Sequence, residues 1–347
     1  MSKSCLAILL LINFSLSFKL KQQFEDLSAS ACWVYQCKSL TDNCIIPFSS
    51  NRTYVLSSCP ASRPYCDTSN LAAPSTCSSE FPKDQSSLSY PGESCTVNSD
   101  CYSNFCISSM CFGKVLQNDC QSNLECNPGL RCYQGKCSTL LRAGSGCESD
   151  YDCIPSLGCN MNICTPYLSL SSGSIVSDCN NGDQTSMFCA EFSCLFDSKT
   201  LQGICLPAFK SVAVGEPCSK SSDCVGTTVY NNVKYVKNTY CQCGMNEAGI
   251  KYCSPHDGDD VAVEFRKAWK AFLNYGYLGM CNTERRFEQA CFDLSINSYF
   301  YLNMMKKYYE YFSFPQLNNA PNCVKGIFYQ VQGQGWFLTP IIIFLVY

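Results

Sequence analysis

Three stretches, CTVNSDCYSNFCISSMC (95–111), CQSNLECNPGLRCYQGKC (120–137) and CESDYDCIPSLGCNMNIC (147–164), repeat one arrangement of cysteines. In the first, Cys95, Cys101, Cys106 and Cys111 are separated by five, four and four residues. In the second (Cys120, Cys126, Cys132, Cys137) and third (Cys147, Cys153, Cys159, Cys164) the gaps are five, five and four. The period, about 26 residues, lies in the range of modular arrays. A unit this small buries too little apolar surface to fold alone, since chains below about 40 residues usually need staples. Disulfides supply them by restricting the unfolded chain, at about 3 kcal/mol for a 15-residue loop. Four cysteines can pair in more than one way, so spacing leaves the connectivity open.

Composition extends this reading to the whole chain. Of 347 residues, 31 are cysteine, charged residues make up 15 %, and the net charge is −3. A nucleic-acid binder would need a basic stripe to neutralise phosphates, and none is present. With one histidine, His256, and no C-x2-C pair, zinc fingers are excluded as well. Thiols in such number persist as structural elements where they are oxidised. The amino terminus agrees: Cys5–Phe14 (CLAILLLINF) is an apolar run followed by small residues, the anatomy of a signal peptide over 1–17. Its removal takes Cys5 and leaves thirty cysteines, the even number that complete pairing requires.

Local chemistry within the units points to hairpins. Pro128-Gly129 starts a turn, and Gly135 can take a positive φ between short strands. Asp100, Asp119, Asp152, Asp178 and Asp223, each just before a cysteine, suit Asx turns better than calcium binding, which clusters several oxygens at fixed offsets. No metal or cofactor is expected. The pattern, with Ser99-Asp100-Cys101 and Gly129-Leu130-Arg131-Cys132 inside it, resembles the Dickkopf amino-terminal cysteine-rich type and is similar to EB-type modules of invertebrate and protist surface proteins. The resemblance covers roughly 91–166, with a weaker echo at 215–253 in Gly215-Glu216-Pro217-Cys218 and Ser222-Asp223-Cys224. It implies an extracellular binding or structural module without catalysis. A second, colipase-like cysteine-rich domain is not recognisable, so a Wnt-antagonist role is not implied.

Less regular blocks flank the array. Residues 18–90 hold six cysteines and a Ser-rich linker, with Asn51-Arg52-Thr53 as an N-glycosylation acceptor on an exposed loop. Residues 167–213 hold four cysteines, and 214–254 hold five, with an insertion at 226–240 whose Asn231-Asn232 centre reads as a hairpin turn. Cys241-Gln242-Cys243 lacks the helix start that activates redox C-x-x-C pairs and reads as two structural bridges. Over 255–325 helical periodicity appears. Phe265, Ala268, Trp269, Phe272 and Leu273 share one helix face; a second helix is expected over 283–294, with Phe287, Cys291 and Leu294 on a stripe; a third over 297–312 carries Phe300, Met304, Tyr308 and Tyr311 and stops at Pro315. The three cysteines of this block, Cys281, Cys291 and Cys323, are odd in number, with Cys253 a candidate partner.

The carboxyl end, 326–347, closes on WFLTPIIIFLVY (336–347), too short for an ordinary spanning helix. It suits the tail of a GPI signal with attachment at Asn318, Asn319 or Ala320, although that would discard Cys323; a membrane segment or buried strand are the other readings. No catalytic motif is recognisable, and His256, beside Pro255 and Asp257, reads as an exposed linker residue. The expected protein is therefore a small disulfide-rich modular one, with short β-hairpins and coil in tandem units followed by a small α-helical region. It is expected to enter the secretory pathway and act outside the cell or on its surface, as a non-catalytic binding, adhesion or coat module for an extracellular protein or glycan. The alternative is a secreted protease inhibitor or receptor ligand, with specificity in the constrained loops Tyr102–Phe105, Asn127–Arg131 and Ile154–Gly158.

Overall fold

Two interlocked disulfides per unit, first cysteine to third and second to fourth, shape most of the chain. The computed structural model describes residues 32–39, 42–63, 65–66, 74–79, 88–177, 179, 186–197, 199–200, 202–212, 214–275, 278–287, 291 and 298–325. The signal-peptide and tail expectations (1–17 and 326–347), Asp178 and Leu294 lie outside them. In the three repeats the bridges are Cys95–Cys106 and Cys101–Cys111, Cys120–Cys132 and Cys126–Cys137, Cys147–Cys159 and Cys153–Cys164. The next two blocks obey the same rule, with Cys179–Cys194 and Cys189–Cys205, then, once Cys243 is set aside as the partner of Cys32, Cys218–Cys241 and Cys224–Cys253. The array thus has five units.

The local chemistry explains the repetition. A single 3-10 turn precedes the second cysteine at Asn98–Asp100, Asn123–Glu125, Asp150–Asp152 and Ser221–Asp223. Its last carboxylate accepts from backbone N–H groups after the first cysteine: Asp100 from Thr96 and Val97, Asp152 from Glu148 and Ser149, Asp223 from Ser219 and Lys220, Glu125 from Gln121. The Thr96 hydroxyl, which also donates to Asp100, and then these backbone bonds hold the Asp100 carboxyl below the usual range, and the backbone bonds do the same for Asp223. The first residue of the turn accepts from the N–H of the third cysteine, Asn98 from Cys106, Asn123 from Cys132 and Asp150 from Cys159. Asp119 departs from the Asx expectation: it is exposed and ion-paired with Lys136 at 2.7 Å.

Each unit ends in a hairpin or small sheet. The strands of the unit region are β6 (Cys106–Ile107), β7 (Met110–Cys111), β8 (Leu130–Tyr133), β9 (Lys136–Thr139), β10 (Leu157–Asn160), β11 (Ile163–Pro166), β12 (Ile175–Val176), β13 (Cys194–Asp197), β14 (Gln202–Cys205), β15 (Lys210–Ser211), β16 (Val225–Tyr230), β17 (Val233–Asn238), β18 (Cys241–Cys243) and β19 (Lys251–Cys253). Third and fourth cysteines stand opposite each other in register, as in Cys132↔Cys137 and Cys159↔Cys164. The insertion folds as β16–β17, with Asn231 and Asn232 at φ 49° and 62°, the left-handed pair that a two-residue hairpin turn needs.

Ahead of the array, β1 (Val34–Cys37), β2 (Asn43–Phe48), β3 (Thr53–Leu56), β4 (Tyr65–Cys66) and β5 (Ser75–Ser78) form a sheet of order β1-β3-β2-β5-β4, with β1 parallel to β3. Cys44–Cys66 and Cys59–Cys77 staple it internally. Its other two cysteines reach across the chain, Cys32 to Cys243 and Cys37 to Cys323. Cys253 is therefore not the partner of a carboxyl-terminal cysteine: it closes unit 5, and Cys281 pairs with Cys291. All thirty cysteines after Cys5 are paired. Bridges in this number place the chain in an oxidising, secretory or extracellular environment. No described helix is long and apolar enough to cross a membrane.

Helices α1 (Asp260–Tyr275) and α2 (Ser298–Phe312) pack against each other, and a short turn of helix, α3 (Phe314–Leu317), follows. Asp260 in the first turn favours the α1 amino terminus. The expected face of α1 is inside: Phe265, Ala268, Trp269 and Phe272 are buried with Met304 and Tyr301 of α2, and Leu273 packs against them. Phe265 stacks on Phe192, which ties this core to unit 4. As expected, α2 ends at Phe312, three residues ahead of Pro315, which itself sits near the start of α3, where a missing N–H costs little. A separate core joins Tyr35, Ile45 and Leu56 of the sheet to Tyr309, Leu317, Ala320 and Val324, so the two ends of the described chain close on each other. Residues 283–287, expected as the start of a helix, form turns instead.

Candidate functional site

That turn segment is a clamp across the repeats. Consecutive side chains address different units. Asn282 Nδ2 donates to the carbonyls of Asn123 (2.7 Å) and Cys126 (3.0 Å) in unit 2. Thr283 Oγ1 donates to Tyr151 O of unit 3 at 2.8 Å. Glu284 accepts from Asn123 Nδ2, and Arg285 pairs with the buried Glu93 carboxylate beside unit 1 at 3.2 Å. Arg286 Nη1 donates to the carbonyls of Asp150 and Cys153, and Nη2 to the Tyr167 hydroxyl. A helix over 283–294 would turn these neighbours to different sides. The extended set of acceptors offered by three units overrides the local stripe that favours it. Arg131 and Asp152, at 2.6 Å, add an ion pair between units 2 and 3. Burial works against charge on Asp152, yet the guanidinium and the N–H groups of Glu148 and Ser149 keep its carboxyl below the usual range.

A second polar junction surrounds His256. The residue is buried, not an exposed linker, at 1 % exposure. Its neighbour Asp257, equally buried, accepts from the Ser193 hydroxyl of unit 4 and the Phe209 N–H, and faces Lys237 Nζ of β17 at 3.4 Å. Asp259 accepts from the His256 N–H and from Ser211 of β15. Arg266 of α1 donates to the Asp257 carbonyl and pairs with Glu191 of unit 4. One short segment thereby joins units 4 and 5 to the first helix. The imidazole lies flat on Gly226: a Cβ there would stand 2.5 Å from Nε2 and Cε1. Gly226→Ala is expected to destabilise by about 1–3 kcal/mol, measured by denaturant titration without reductant.

Burial, and next the Lys237 ammonium, pushes the His256 pKa down against the pull of Asp257 and Asp259; the Cys224 carbonyl also favours the charged ring. The unfolded chain therefore takes up this proton near its ordinary pKa of about 6.5, before the folded protein does. The corresponding stability is present above that value and is lost as pH falls below it through the lowered pKa of the folded protein. Glu284 acts in the opposite sense, because burial raises its pKa, and does so nearer the carboxylate range. A thermal midpoint that falls between about pH 7.5 and about pH 5.5 in the wild type, and is flatter in His256→Gln, is the expected result.

Both junctions tie structural elements together through buried polar groups, and within them His256 Nδ1 and Nε2 and Arg286 Nε are buried without a hydrogen-bond partner. The cysteine triplets that could hold a metal, such as Cys120, Cys126 and Cys137, are oxidised in bridges and offer no thiolate. A shallow open notch on unit 2 is lined by Lys114, Gln117, Asn118, Asp119 and Lys136, with Lys114 paired to Glu125 and Lys136 to Asp119. The unit loops differ in access. Residues 102–105 of unit 1 are exposed, including Tyr102 and Phe105, and Asn104 adopts a φ of 57°. Within 127–131 no residue is exposed and Arg131 is buried; within 154–158, Pro155, Leu157 and Gly158 are buried. The loops at 127–131 and 154–158 are thus less open than that of unit 1, with Arg131 held against Asp152 of unit 3. Asn51 sits exposed in the turn between β2 and β3. The chain matches no family model, no curated protein and no solved structure.

The missed features have different sequence signals. The Asn or Asp three residues before the second cysteine recurs as Asn98, Asn123 and Asp150 and is visible on alignment of the repeats. The clamp has no such signal: NTERRF reads as amphipathic helix until the acceptors are in place.

Proposed function

We propose that this chain is a secreted or surface-tethered, non-catalytic module for binding, adhesion or coat formation, akin to the Dickkopf-type and EB-type modules that its repeats resemble. The observation that carries the reading is the construction of the array. Of five doubly bridged units, the first three are clamped by residues 282–286, the other two are joined to the first helix around Asp257, and unit 1 presents an exposed loop. Such a scaffold holds contact residues still while leaving them in solvent, which is how loops on rigid frames bind. The partner is an extracellular protein or glycan, approached through Tyr102 and Phe105. Tyr102→Ala with Phe105→Ala is expected to weaken adsorption of the secreted full-length chain to cell surfaces by about tenfold or more, as loss of exposed aromatic anchors does. Unchanged adsorption, with the fold intact by circular dichroism, contradicts the use of this loop.

The exposed loop of unit 1 also supports a second reading, a secreted inhibitor or receptor ligand acting through that single loop. Inhibition of a protease by the intact chain, abolished by the same two substitutions, distinguishes it.

Tethering belongs to the chain beyond Lys325. Attachment of a lipid at Asn318, Asn319 or Ala320 would remove Val324 from the sheet core and deprive Cys37 of its partner Cys323. Release from membranes by phosphatidylinositol-specific phospholipase, with Cys323 still present in the released chain, is the expected result; retention in the membrane pellet rules out the GPI form, and wholly soluble protein in the medium rules out tethering. Asn51 is expected to carry a glycan: peptide-N-glycosidase should raise the gel mobility of the wild type and leave Asn51→Gln unchanged.

A further inference from the structure

We propose that the Cys37–Cys323 bridge is a thiol–disulfide exchange site, a reducible latch between the amino-terminal sheet and the carboxyl-terminal end of the fold. Access separates it from the other bridges. In each of the other fourteen at least one cysteine is buried; here Cys37 is exposed at the end of β1 and Cys323 is half-buried. A thiolate must approach one sulfur directly, so access decides which bridge exchanges first. Position makes the exchange consequential. The bridge joins residues 286 apart and holds the 322–325 turn of helix over the edge strand β1.

The second long-range tie, Cys32–Cys243, is buried at both ends, with exposures of 6 % and 8 %. It survives when the latch opens. The sheet also keeps the packing of Tyr35 and Leu56 against Leu317 and Ala320. Opening is therefore local: it frees the point from which the chain continues beyond Lys325, and the units stay closed.

The co-reactant is a dithiol, small or protein-borne. Its thiolate attacks Cys37 Sγ, forms a mixed disulfide and expels Cys323 as a thiolate, which takes a proton from water. The second thiol of the co-reactant then attacks its own sulfur in the mixed disulfide and expels Cys37, which is likewise protonated. Two electrons pass to the bridge, and the dithiol leaves as its disulfide.

The test is limited reduction of the folded full-length protein with dithiothreitol, followed by alkylation and peptide mapping. Cys37 and Cys323 should take up label about tenfold faster or more than any other pair, at reductant concentrations that leave the circular dichroism unchanged. Label on a unit bridge such as Cys95–Cys106 at the same rate, or no label before the whole chain unfolds, overturns the proposal. A Cys37→Ser, Cys323→Ser double variant should retain the native spectrum and take up no label under the same conditions. Labelling of that variant equal to wild type assigns the reactivity to another bridge and equally overturns it.

Discussion

Arg286→Ala is expected to destabilise the protein by about 3 kcal/mol or more, with the loss concentrated in unit 3. The side chain is buried at 2 % exposure and donates to two carbonyls, of Asp150 and Cys153, and to the Tyr167 hydroxyl. Truncation leaves these acceptors inside the fold without their donor, at a cost of about 1–3 kcal/mol for each unsatisfied buried group. It also opens space beside Phe287 and Tyr151, over which the guanidinium lies. The disulfides remain, so the effect should appear as a lowered denaturation midpoint and as faster amide exchange at Cys153 and Cys159. Arg286→Lys should recover little, because one ammonium cannot reach three acceptors set in a fork. A midpoint within experimental error of wild type would show that the clamp lies on the units without holding them.

Asp257→Ala should be at least as costly, about 3–5 kcal/mol, the usual penalty for removing one partner of a buried charge pair. The carboxylate gathers the Ser193 hydroxyl, the Phe209 N–H and the Lys237 ammonium, each from a different stretch of chain. Without it, the positive charge of Lys237, whose side chain is 7 % exposed, stays beside His256 with its main counter-charge gone. Asp257→Asn separates charge from packing. It keeps the shape and an acceptor oxygen and should show only part of the loss, whereas equal losses for the two variants would mean that the charge alone is at stake. The readout is equilibrium denaturation without reductant, with secretion yield as a second measure.

These expectations mark how far the sequence could be read. What depends on neighbours in the chain was legible. The hairpin at Asn231-Asn232 follows from two residues tolerant of positive φ, and the turns at Asp100, Asp152 and Asp223 from carboxylates within reach of nearby N–H groups. The inward faces of α1 and α2 follow from helical spacing. What depends on remote partners was not. His256 looks like a linker residue beside Pro255, and its burial arises only when unit 5 and α1 close over it. Arg131 occupies an apparent variable loop until Asp152 of the next unit comes within 2.6 Å. Even parity of cysteines is a global count and says nothing of partners, so Cys32–Cys243 and Cys37–Cys323, with separations of 211 and 286 residues, had no local signature.

The central claim is one covalent plan: five units paired first to third and second to fourth, and a sheet tied to unit 5 and to the carboxyl-terminal end. Peptide mapping of the secreted, non-reduced protein tests it most directly. Proteolysis between cysteines, with thiols blocked beforehand, should release Cys32 linked to Cys243, Cys37 linked to Cys323, and Cys224 linked to Cys253. Recovery of Cys253 linked to Cys281, Cys291 or Cys323, or of adjacent cysteines such as Cys95 and Cys101 joined to each other, would contradict it.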